Sequence, residues 1–330
     1  MGGLIRRIDK NDGPTMKRKK GLLLAALLVT VIGVSYLSWF VNQHFVRTCL
    51  RSAHHWYVCF FDQDFDFSTD FYGMRYEGNT KNLLDRAVLF AGGFEKPVLH
   101  FLKDVLKANF SNQGIVVDVG ANVGQHSMYM SRYARRVHAF EPYEPVLERF
   151  RRMIELNSIK NIVIHPVGLG NKNEKIPFFK PPEFNLGTGS FEGRFYSANT
   201  PFEELEIVIG DEALEKAGVD QVSLVKIDVE GYEKPVLQGL ARTLRLYRPI
   251  VVVEVTIKPE ESFGFKSKED LRSVFPEDYD LLVFGTSIYS REIFYQLTEI
   301  GPQHCFDLPT SHEVVAYPAE RKDRIPRQNF

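Results

Sequence analysis

Apolar and amphipathic segments alternate along most of this chain. Five apolar runs predict buried strands, at 115–117, 136–140, 162–167, 222–228 and 250–255. Three segments with helical spacing of apolar residues follow such strands, at 126–132, 145–156 and 234–244. Strands that alternate with helices predict an α/β fold built on a parallel sheet.

The segment 171–210 breaks this alternation. Two short strands, 175–179 and 205–209, flank a polar glycine loop at 185–190. An insertion beside the strand ends forms either a lid or substrate wall or a hairpin decoration, and both interpretations stay open.

Weaker patterns complete the chain. Residues 82–108 have helical spacing interrupted at Gly92 and Gly93, and Asp211 is expected to cap a short helix. The remaining predictions are a helix at 212–217, a helix at 268–274, antiparallel strands at 279–284 and 313–317, and a loose tail at 321–330.

Residues 21–41 form a run of 21 residues without a charge. A helix of that length spans a hydrocarbon core of about 30 Å. Tyr36 and Trp39 lie near its far end, as an interfacial belt does. Seven Lys and Arg residues precede the run, whereas the far flank carries Arg47 and Arg51, which predicts a cytoplasmic N-terminus. A retained anchor is the favoured interpretation, and a cleaved signal peptide is the alternative.

The predicted organisation has five parts: a basic cytoplasmic tail (1–20), a transmembrane helix (21–41), an aromatic-rich stem (42–75), a catalytic domain (76–320) and the tail (321–330). In a eukaryotic cell this predicts a single-pass membrane protein whose catalytic domain lies in the lumen of the secretory pathway. A reversed topology would return that domain to the cytosol.

Composition narrows the function classes. The 330 residues are 44% hydrophobic and 25% charged, as in globular proteins. A net charge of −1 provides no basic field, so we expect no nucleic-acid partner. Cys49, Cys59 and Cys305 have no metal-ligand or redox spacing, and the first two either pair or stay free. The sequence does not predict an oligomeric state.

The most informative stretch is GIVVDVGANVG, residues 114–124. Asp118 ends an apolar strand, and Gly120 and Gly124 bracket a tight turn before a helix. A dinucleotide-binding turn has a second glycine where Asn122 stands. The pattern favours S-adenosylmethionine, a cationic methyl donor without phosphate, whose ammonium Asp118 would hold directly or through water. An ordinary strand-to-helix turn is the alternative.

Glu141 ends the second predicted strand, 23 residues after Asp118. In nucleotide-binding sheets, an acid about 20 residues after the turn binds ribose hydroxyls. We therefore expect Glu141 to bind the ribose of the cofactor, with a surface glutamate before a proline turn as the alternative.

Charged residues also occupy the ends of two later apolar strands. Lys226, Asp228 and Glu230 alternate at the end of one strand, and Glu254 lies near the end of the next. Charges in buried strands more often mark function than packing.

Five motifs in fixed order, VVDVGANVG, HAFEP, HPVGLGN, LVKIDVEGYE and VVVEV, resemble the FkbM family of S-adenosylmethionine-dependent methyltransferases over roughly residues 72–318. The resemblance implies a Rossmann-like seven-stranded methyltransferase sheet with helices on both faces. It also implies O-methylation of a hydroxyl on a glycan or other small molecule. The transmembrane segment is not part of the family core.

The resemblance further implies roles for individual residues. It implies that the cofactor is bound by Asp118, Gly120, Asn122, Gly124 and Glu141. The Phe94–Glu95 pair matches an aromatic–Glu pair upstream of the family's sheet, so Glu95 is expected to touch the cofactor as well.

A sugar hydroxyl is a poor nucleophile, so we expect a general base. Asp228 is the first candidate and Glu230 the second, and Lys226 would lower the pKa of the carboxylate or pair with it. Alternatively, Asp228, Glu230 and Glu254 bind a hard cation that orients a diol, although no histidine-containing ligand set supports a metal. Helix capping is the structural alternative for the two acids, and His126 and His165 are weaker candidates near the cleft.

Three other functions remain as alternatives. One is a catalytically silent, membrane-tethered module that binds the cofactor or a partner. Another is a methyltransferase that acts on proteins or lipid head groups. A dinucleotide oxidoreductase is disfavoured by Asn122.

Overall fold

The computed structural model of the chain describes residues 64–179, 189, 191, 203–257, 260, 262–285, 292–300 and 311–329. The predicted tail 1–20, the predicted transmembrane run 21–41, most of the stem and all three cysteines lie outside these residues. Within the described part of the chain, no helix combines the length and apolar character needed to cross a bilayer.

Strands and helices alternate from residue 66 onwards. The strands are β1 (Asp66–Phe71), β2 (Met74–Asn79), β3 (Ile115–Val119), β4 (Arg136–Phe140), β5 (Ile162–His165), β6 (Gly168–Gly170), β7 (Glu174–Phe178), β8 (Glu203–Ile209), β9 (Leu224–Ile227), β10 (Ile250–Val255), β11 (Tyr279–Phe284), β12 (Leu297–Glu299) and β13 (His312–Pro318). The helices are α1 (Leu83–Ala91), α2 (Lys96–Phe110), α3 (Gln125–Ser131), α4 (Glu144–Leu156), α5 (Gly210–Lys216), α6 (Glu233–Gly239), α7 (Ala241–Leu246), α8 (Lys268–Ser273) and a 3₁₀ helix, Ala319–Arg324.

The main sheet has the strand order β12-β11-β13-β10-β9-β3-β4-β5. The strands from β10 to β5 pair in parallel, and β13 runs antiparallel between β10 and β11. Seven of these strands were predicted, and the eighth is the short edge strand β12. The chain leaves β3 towards β4 and later returns to its other side as β9, which creates a switch point where ligands bind in such sheets.

Both faces of the main sheet are covered by helices, as expected. Val116 and Leu224 pack on one face in a cluster with α2. Val117 and Val225 point to the opposite face, into a cluster with α6 and α7. Because side chains alternate along a strand, β3 and β9 fill both layers and read as continuous apolar runs. Full burial of each such side chain stabilises the fold by about 1.5–3 kcal/mol.

The insertion forms a second sheet with the order β6-β8-β7. β8 pairs in parallel with β6 and antiparallel with β7. This sheet packs tightly on α6, since a Cβ on Gly239 would lie 1.8 Å from the carbonyl oxygen of Gly170. Of the predicted loop 185–190, only Gly189 lies among the described residues.

The boundary expected between stem and domain, at residue 75, falls inside the β1–β2 hairpin. Phe71 and Tyr76 are fully buried in a cluster with Tyr129 of α3. The ring centroid of Tyr72 lies 4.7 Å from that of Tyr129. The aromatic side chains interpreted as a stem therefore belong to the core of the domain from residue 66 onwards.

Asp211 caps a different helix from the one predicted. Ile209 is the N-cap of α5, whereas the Asp211 carboxylate accepts hydrogen bonds from the backbone N–H groups of Arg242 (2.7 Å) and Thr243 (2.9 Å) in the first turn of α7. The predicted helix 234–244 is two helices that meet at Leu240.

The predicted loose tail is packed against β12. Leu297 N–H donates to the carbonyl oxygen of Arg327 at 2.8 Å, and Tyr295 N–H donates to Asn329 Oδ1 at 2.8 Å. Ile325 is 5% exposed and joins the core cluster under α2. The tail is polar because its outer side chains face solvent, while its backbone extends the sheet edge.

Candidate active site

One cavity of about 460 Å³ lies at the carboxyl ends of β3, β4, β9 and β10. Eight of the residues predicted as site candidates line it together: Glu95, Gly120, Asn122, His126, Glu141, Asp228, Glu230 and Glu254. The insertion contributes Phe178 and Ile207 to the cavity wall. It therefore borders the cavity, as the interpretation of this segment as a lid or substrate wall requires. The cavity is therefore bounded by elements far apart in sequence.

The turn after β3 is locked to the end of β9. Gly120 has φ +79°, and a Cβ on it would lie 1.8 Å from the carbonyl oxygen of Asp228. In the other direction, Asp228 N–H donates to the carbonyl oxygen of Val119 at 3.0 Å. Only glycine permits this close approach, so the turn fixes the backbone that carries Asp228.

The second glycine of the turn has a packing role. Gly124 has φ +83° and faces the ring of Phe150, where a Cβ would meet carbon atoms at 2.0 Å. Gly124 is not among the residues that line the cavity. It brings α3 against α4 and so holds the turn in place.

Glu141 secures the same turn through hydrogen bonds. Its Oε2 accepts from Asn122 N–H and its Oε1 accepts from Tyr143 N–H, both at 2.9 Å. Burial raises the pKa of Glu141 to about 7, against the lowering effect of these two bonds. Each carboxylate oxygen keeps a second lone pair for a ligand hydroxyl.

Asp118 lies behind the cavity and does not line it. β3 continues to Val119, so the Asp118 side chain points from within the strand toward α3, where Oδ2 accepts a 2.6 Å hydrogen bond from Ser127 Oγ. Asp118 is fully buried, and this burial raises its pKa. The strand-end position led us to expect that Asp118 contacts the cofactor ammonium directly or through water. In this geometry the Asp118 side chain does not reach the cavity, so a direct contact is not available.

Lys226 and Asp228 form an ion pair with Nζ to Oδ2 at 3.0 Å. The Lys226 side chain is 2% exposed and the Asp228 side chain is 25% exposed, so Asp228 reaches the cavity and Lys226 stays beneath it. Burial lowers the pKa of Lys226, but the negative charges around it raise the pKa by more, so that it lies above its usual value. These charges are those of Asp228, Asp118, Glu95 and Glu313. Lys226 is therefore a fixed positive charge under the cavity floor.

Glu95 and His126 meet at the cavity wall, with Oε2 to Nε2 at 3.4 Å. Both atoms are buried and have no hydrogen-bond partner among the described residues. Burial, followed by the charge of Asp228, raises the pKa of Glu95 to about 8. Burial and Lys226 lower the pKa of His126 well below its usual value. At neutral pH the pair is therefore mostly uncharged.

A pair of carboxyls lies on the next two strands of the sheet beyond β9, which are β10 and β13. Glu254 on β10 is directly opposite Glu313 on β13. Burial raises the pKa of both groups well above the usual value, and the charge of Asp228 adds to the rise in each. Glu254 lines the cavity, whereas Glu313 is 2% exposed and both of its oxygens lack a hydrogen-bond partner among the described residues.

Three cavity residues adopt a strained backbone. Glu95, Asn122 and Glu230 have φ of 50°, 52° and 54° and all line the cavity. Non-glycine residues at positive φ persist where the surrounding structure holds them, and they cluster at functional sites. This strain places three polar side chains at one opening.

Sequence reasoning missed several groups of this site. Glu313 escaped notice although it is a charge at the start of an apolar strand, the same signal that identified Glu254. Glu233 accepts a hydrogen bond from Gly231 N–H at 3.0 Å and shapes the loop after β9, and sequence reasoning assigned it no role. His165, by contrast, was a weaker candidate from the sequence. It stacks on Phe140 with ring centroids 4.3 Å apart and does not line the cavity.

In the described part of the chain, no arrangement of side chains supports the metal interpretation. No group of three or more His, Cys, Asp or Glu residues there is placed to hold a metal ion. The carboxyls of the cavity are instead distributed around Lys226.

The comparisons with known proteins match the segment that builds this cavity. Residues 118–281 match the family profile described as the methyltransferase FkbM domain. The chain carries an FkbM methyltransferase domain. This domain spans the turn after β3, Glu141, the loop after β9 and β10, whereas Glu95 and Glu313 lie outside the matched residues.

Two curated relatives align with parts of the chain. A protein named hexuronic acid methyltransferase AglP, from Haloferax volcanii, is 32% identical over 145 residues, 43% of this chain and 55% of that protein. A protein named methyltransferase 1, from Beauveria bassiana, is 28% identical over 151 residues, 40% of this chain and 61% of that protein. The chain therefore spans less than two thirds of either relative.

A solved methyltransferase FkbM from Methylobacillus flagellatus KT aligns with 64% of this chain and 48% of its own, at 15% identity and a TM-score of 0.40.

Proposed function

We propose that this protein transfers a methyl group from S-adenosylmethionine to a hydroxyl of a glycan or another small molecule. The observation that carries the proposal is the single cavity in which the glycine turn, Glu141, Asp228 and Glu230 meet. That cavity lies at the switch point of the sheet, within the FkbM methyltransferase domain.

The residues present fit a cationic cofactor. The turn leaves room for close approach because Gly120 has no side chain, and the buried Glu95 Oε2 has no hydrogen-bond donor among the described residues. Glu141 would hold the ribose hydroxyls, and Glu95 would face the ammonium in place of Asp118. Tyr143, Phe178 and Ile207 offer an apolar wall for the adenine.

Bound S-adenosylmethionine supplies an electrophilic methyl on a sulfonium, whose carbon–sulfur bond breaks as the acceptor oxygen bonds to the methyl carbon. The protein aligns that oxygen and removes its proton. Asp228 is the proposed base, since its carboxylate reaches the cavity and its backbone is fixed by the turn. Lys226 holds the Asp228 carboxylate in one orientation by their 3.0 Å ion pair.

Glu254 offers a second proton acceptor for the same step. It lines the cavity on the strand next to β9, and its raised pKa makes its ionised form a stronger base than an exposed carboxylate. Glu230, on the strained loop after β9, completes the set of acids around the acceptor.

A sugar acceptor is supported by one relative, whose name specifies a hexuronic acid. The direct test is to incubate the full-length protein with methyl-labelled S-adenosylmethionine and glycan, lipid and protein extracts of cells that lack it. Label in a glycan or small-molecule fraction supports the proposal. Label only in lipid or protein identifies the alternative acceptor class, and cofactor binding without any transfer indicates a silent module.

We further propose that residues 21–41 anchor the protein in a membrane with the N-terminus in the cytoplasm and, in a eukaryotic cell, the catalytic domain on the lumenal side. The support is the 21-residue uncharged run and the excess of basic residues before it.

A further inference from the structure

One side chain ties the segment before α2 to the start of α3. Gln125 bonds both backbone groups of Phe94: its Oε1 accepts from Phe94 N–H at 2.7 Å, and its Nε2 donates to the Phe94 carbonyl oxygen at 3.2 Å. Glu95 follows Phe94 in the chain and His126 follows Gln125, so these two bonds hold Glu95 and His126 side by side at the cavity wall.

The Glu95 side chain does not cap its own helix. Glu95 is the N-cap of α2 with φ 50°, but its carboxyl makes no capping hydrogen bond, although N-cap side chains commonly accept from the first turn. The side chain is 4% exposed and lines the cavity, and its Oε2 has no hydrogen-bond partner among the described residues. The strained backbone therefore directs a buried acceptor towards the cavity.

His126 presents a second buried atom of the same kind. Its side chain is 10% exposed and lines the cavity, and its Nε2 has no hydrogen-bond partner in the part of the chain that the structure describes. Burial, followed by the charge of Lys226, lowers the pKa of His126 well below its usual value, so the ring is neutral and Nε2 can accept a hydrogen bond. Buried polar atoms without partners are rare, and two of them 3.4 Å apart in a cavity wall indicate a ligand group.

The chemistry of this pair fits an amino group. A group that contacts both Glu95 Oε2 and His126 Nε2 satisfies them by donating two hydrogen bonds, and a protonated amino group has three to donate. The carboxylate of the cofactor has none. Moreover, the described residues that line the cavity include no lysine or arginine, the side chains that usually bind a carboxylate.

The charges around Glu95 determine its protonation. Titratable and charged groups act on it or contact it from four other parts of the fold: His126 on α3, Lys226 and Asp228 at the end of β9, Glu254 on β10 and Glu313 on β13. Burial, followed by the charge of Asp228, raises the pKa of Glu95 to about 8, so the free protein holds a proton there at neutral pH. The charge of Lys226 opposes this rise, but Lys226 is already paired with Asp228 at 3.0 Å. A ligand ammonium beside Glu95 favours the ionised carboxylate.

We infer that Glu95 and His126 together bind the amino group of the cofactor's amino acid portion, and that this binding releases one proton from the Glu95 carboxyl to solvent. The inference rests on the proposed function and adds to it a second binding residue and a proton balance. The O–H bond of Glu95 is the only bond that breaks. The ammonium keeps its three protons, donating one hydrogen bond to the Glu95 carboxylate and one to His126 Nε2, while the imidazole stays neutral. His126 is therefore a positioning residue for the methyl donor.

Two ligands that differ in the amino acid portion test the inference. The full-length protein is titrated in a calorimeter with S-adenosylhomocysteine and with 5′-methylthioadenosine, which lacks the amino group, in buffers of different ionisation enthalpy. We expect S-adenosylhomocysteine to release about one proton per chain at pH 7, and its affinity to rise about ninefold from pH 6 to pH 7 as the ionised fraction of Glu95 grows. 5′-Methylthioadenosine should show neither effect.

The outcomes separate the inference from the proposed function. Binding of S-adenosylhomocysteine without proton release, or with an affinity that falls as the pH rises, would overturn the inference and leave the proposed function standing. The second of these results is expected if the pair donates to the cofactor carboxylate instead. No binding of S-adenosylhomocysteine would overturn the proposed function, and the inference with it.

Variants assign the effects to the two residues. Glu95→Gln is expected to abolish the proton release and the pH dependence. His126→Phe should lower the affinity for S-adenosylhomocysteine about tenfold without weakening 5′-methylthioadenosine, and His126→Gln, which restores an acceptor, should recover most of the loss. His100→Phe, at a buried histidine that does not line the cavity, is the control and should match the wild type.

Proton release that persists in Glu95→Gln, or an unchanged affinity in His126→Phe, would overturn the assignment. If Glu95→Gln does not fold, the comparison of the two ligands on the wild type still decides the proton balance.

Discussion

At the scale of single residues, the site depends on one buried cation and the acids around it. Lys226 lies under the cavity with Asp228 at 3.0 Å, and the charges of Asp118, Glu95 and Glu313 also act on it. A buried charge is tolerated when it is paired with an opposite charge. Removing one partner leaves the other charge buried and unpaired, which destabilises the fold. Substitutions in this group are therefore expected to affect stability as well as chemistry.

Asp228→Asn tests the proposed base. We expect turnover to fall by about 10²- to 10⁴-fold, because the acceptor proton loses its carboxylate. Binding of S-adenosylhomocysteine should be nearly unchanged, since the turn is held by backbone contacts of residue 228. Comparing rates with calorimetric affinities measures the split. Retained turnover would move the base to Glu254 or Glu230.

Glu95→Gln tests the raised pKa of a buried acid. The pKa of Glu95 is about 8 in the folded protein against 4.5 for an ordinary glutamate, so its protonated form is favoured by folding. Its contribution to stability is fully present below pH 4.5 and is lost as the pH rises through 8. The melting temperature of the wild type should therefore fall between pH 5 and pH 8 more than that of Glu95→Gln. Parallel curves would show that Glu95 is ionised in the folded state.

At the scale of elements, the turn between β3 and α3 determines where β9 ends. Gly120→Ala and Gly218→Ala form a matched pair, since both glycines have positive φ, +79° and +68°. The Cβ at 120 would meet Asp228 O at 1.8 Å, while the Cβ at 218 has no atom within 4 Å.

We expect Gly218→Ala to lower the free energy of unfolding by about 1–2 kcal/mol, the cost of the left-handed backbone alone. Gly120→Ala should lower it by at least twice as much and should also abolish binding of S-adenosylhomocysteine. Thermal unfolding and calorimetry measure the two effects. Equal losses of stability in the two variants would contradict the close contact between the turn and β9.

Elements were predictable from sequence where their pattern is local. β4, β10 and β11 have the bounds that were predicted for them. β10 is the clearest case, because a buried parallel strand leaves a continuous β-branched run. The division of 234–244 into two helices was not visible, because Leu240 continues the apolar spacing across the break. The N-cap assigned to Asp211 was wrong because its partners lie 31 and 32 residues away.

The site was predictable only in part for the same reason. The strand-end positions of Glu141 and Asp228 follow from sequence, since carboxyl ends of parallel strands share an edge. The direction of the Asp118 side chain does not follow from sequence. β3 continues to Val119, so Asp118 lies within the strand and its side chain points toward α3. Glu313 needed the register between β10 and β13, which no local pattern specifies.

At the scale of the whole molecule, the described domain and the apolar run 21–41 make a prediction about topology. With a tag at the C-terminus, protease added to intact microsomes should leave the tagged domain protected, and detergent should expose it. The basic residues before the run are the physical reason, since they resist transfer across the membrane. Digestion of the tag without detergent would place the domain on the cytosolic side.

The most direct measurement for the whole molecule is calorimetric titration of the full-length protein with S-adenosylhomocysteine, beside its Glu141→Gln variant. We expect saturable binding of one ligand per chain in the wild type and an affinity at least about tenfold lower in the variant, because the ribose loses a charged acceptor. No binding to the wild type, or equal binding to both proteins, would contradict the assignment of this cavity to a methyl donor.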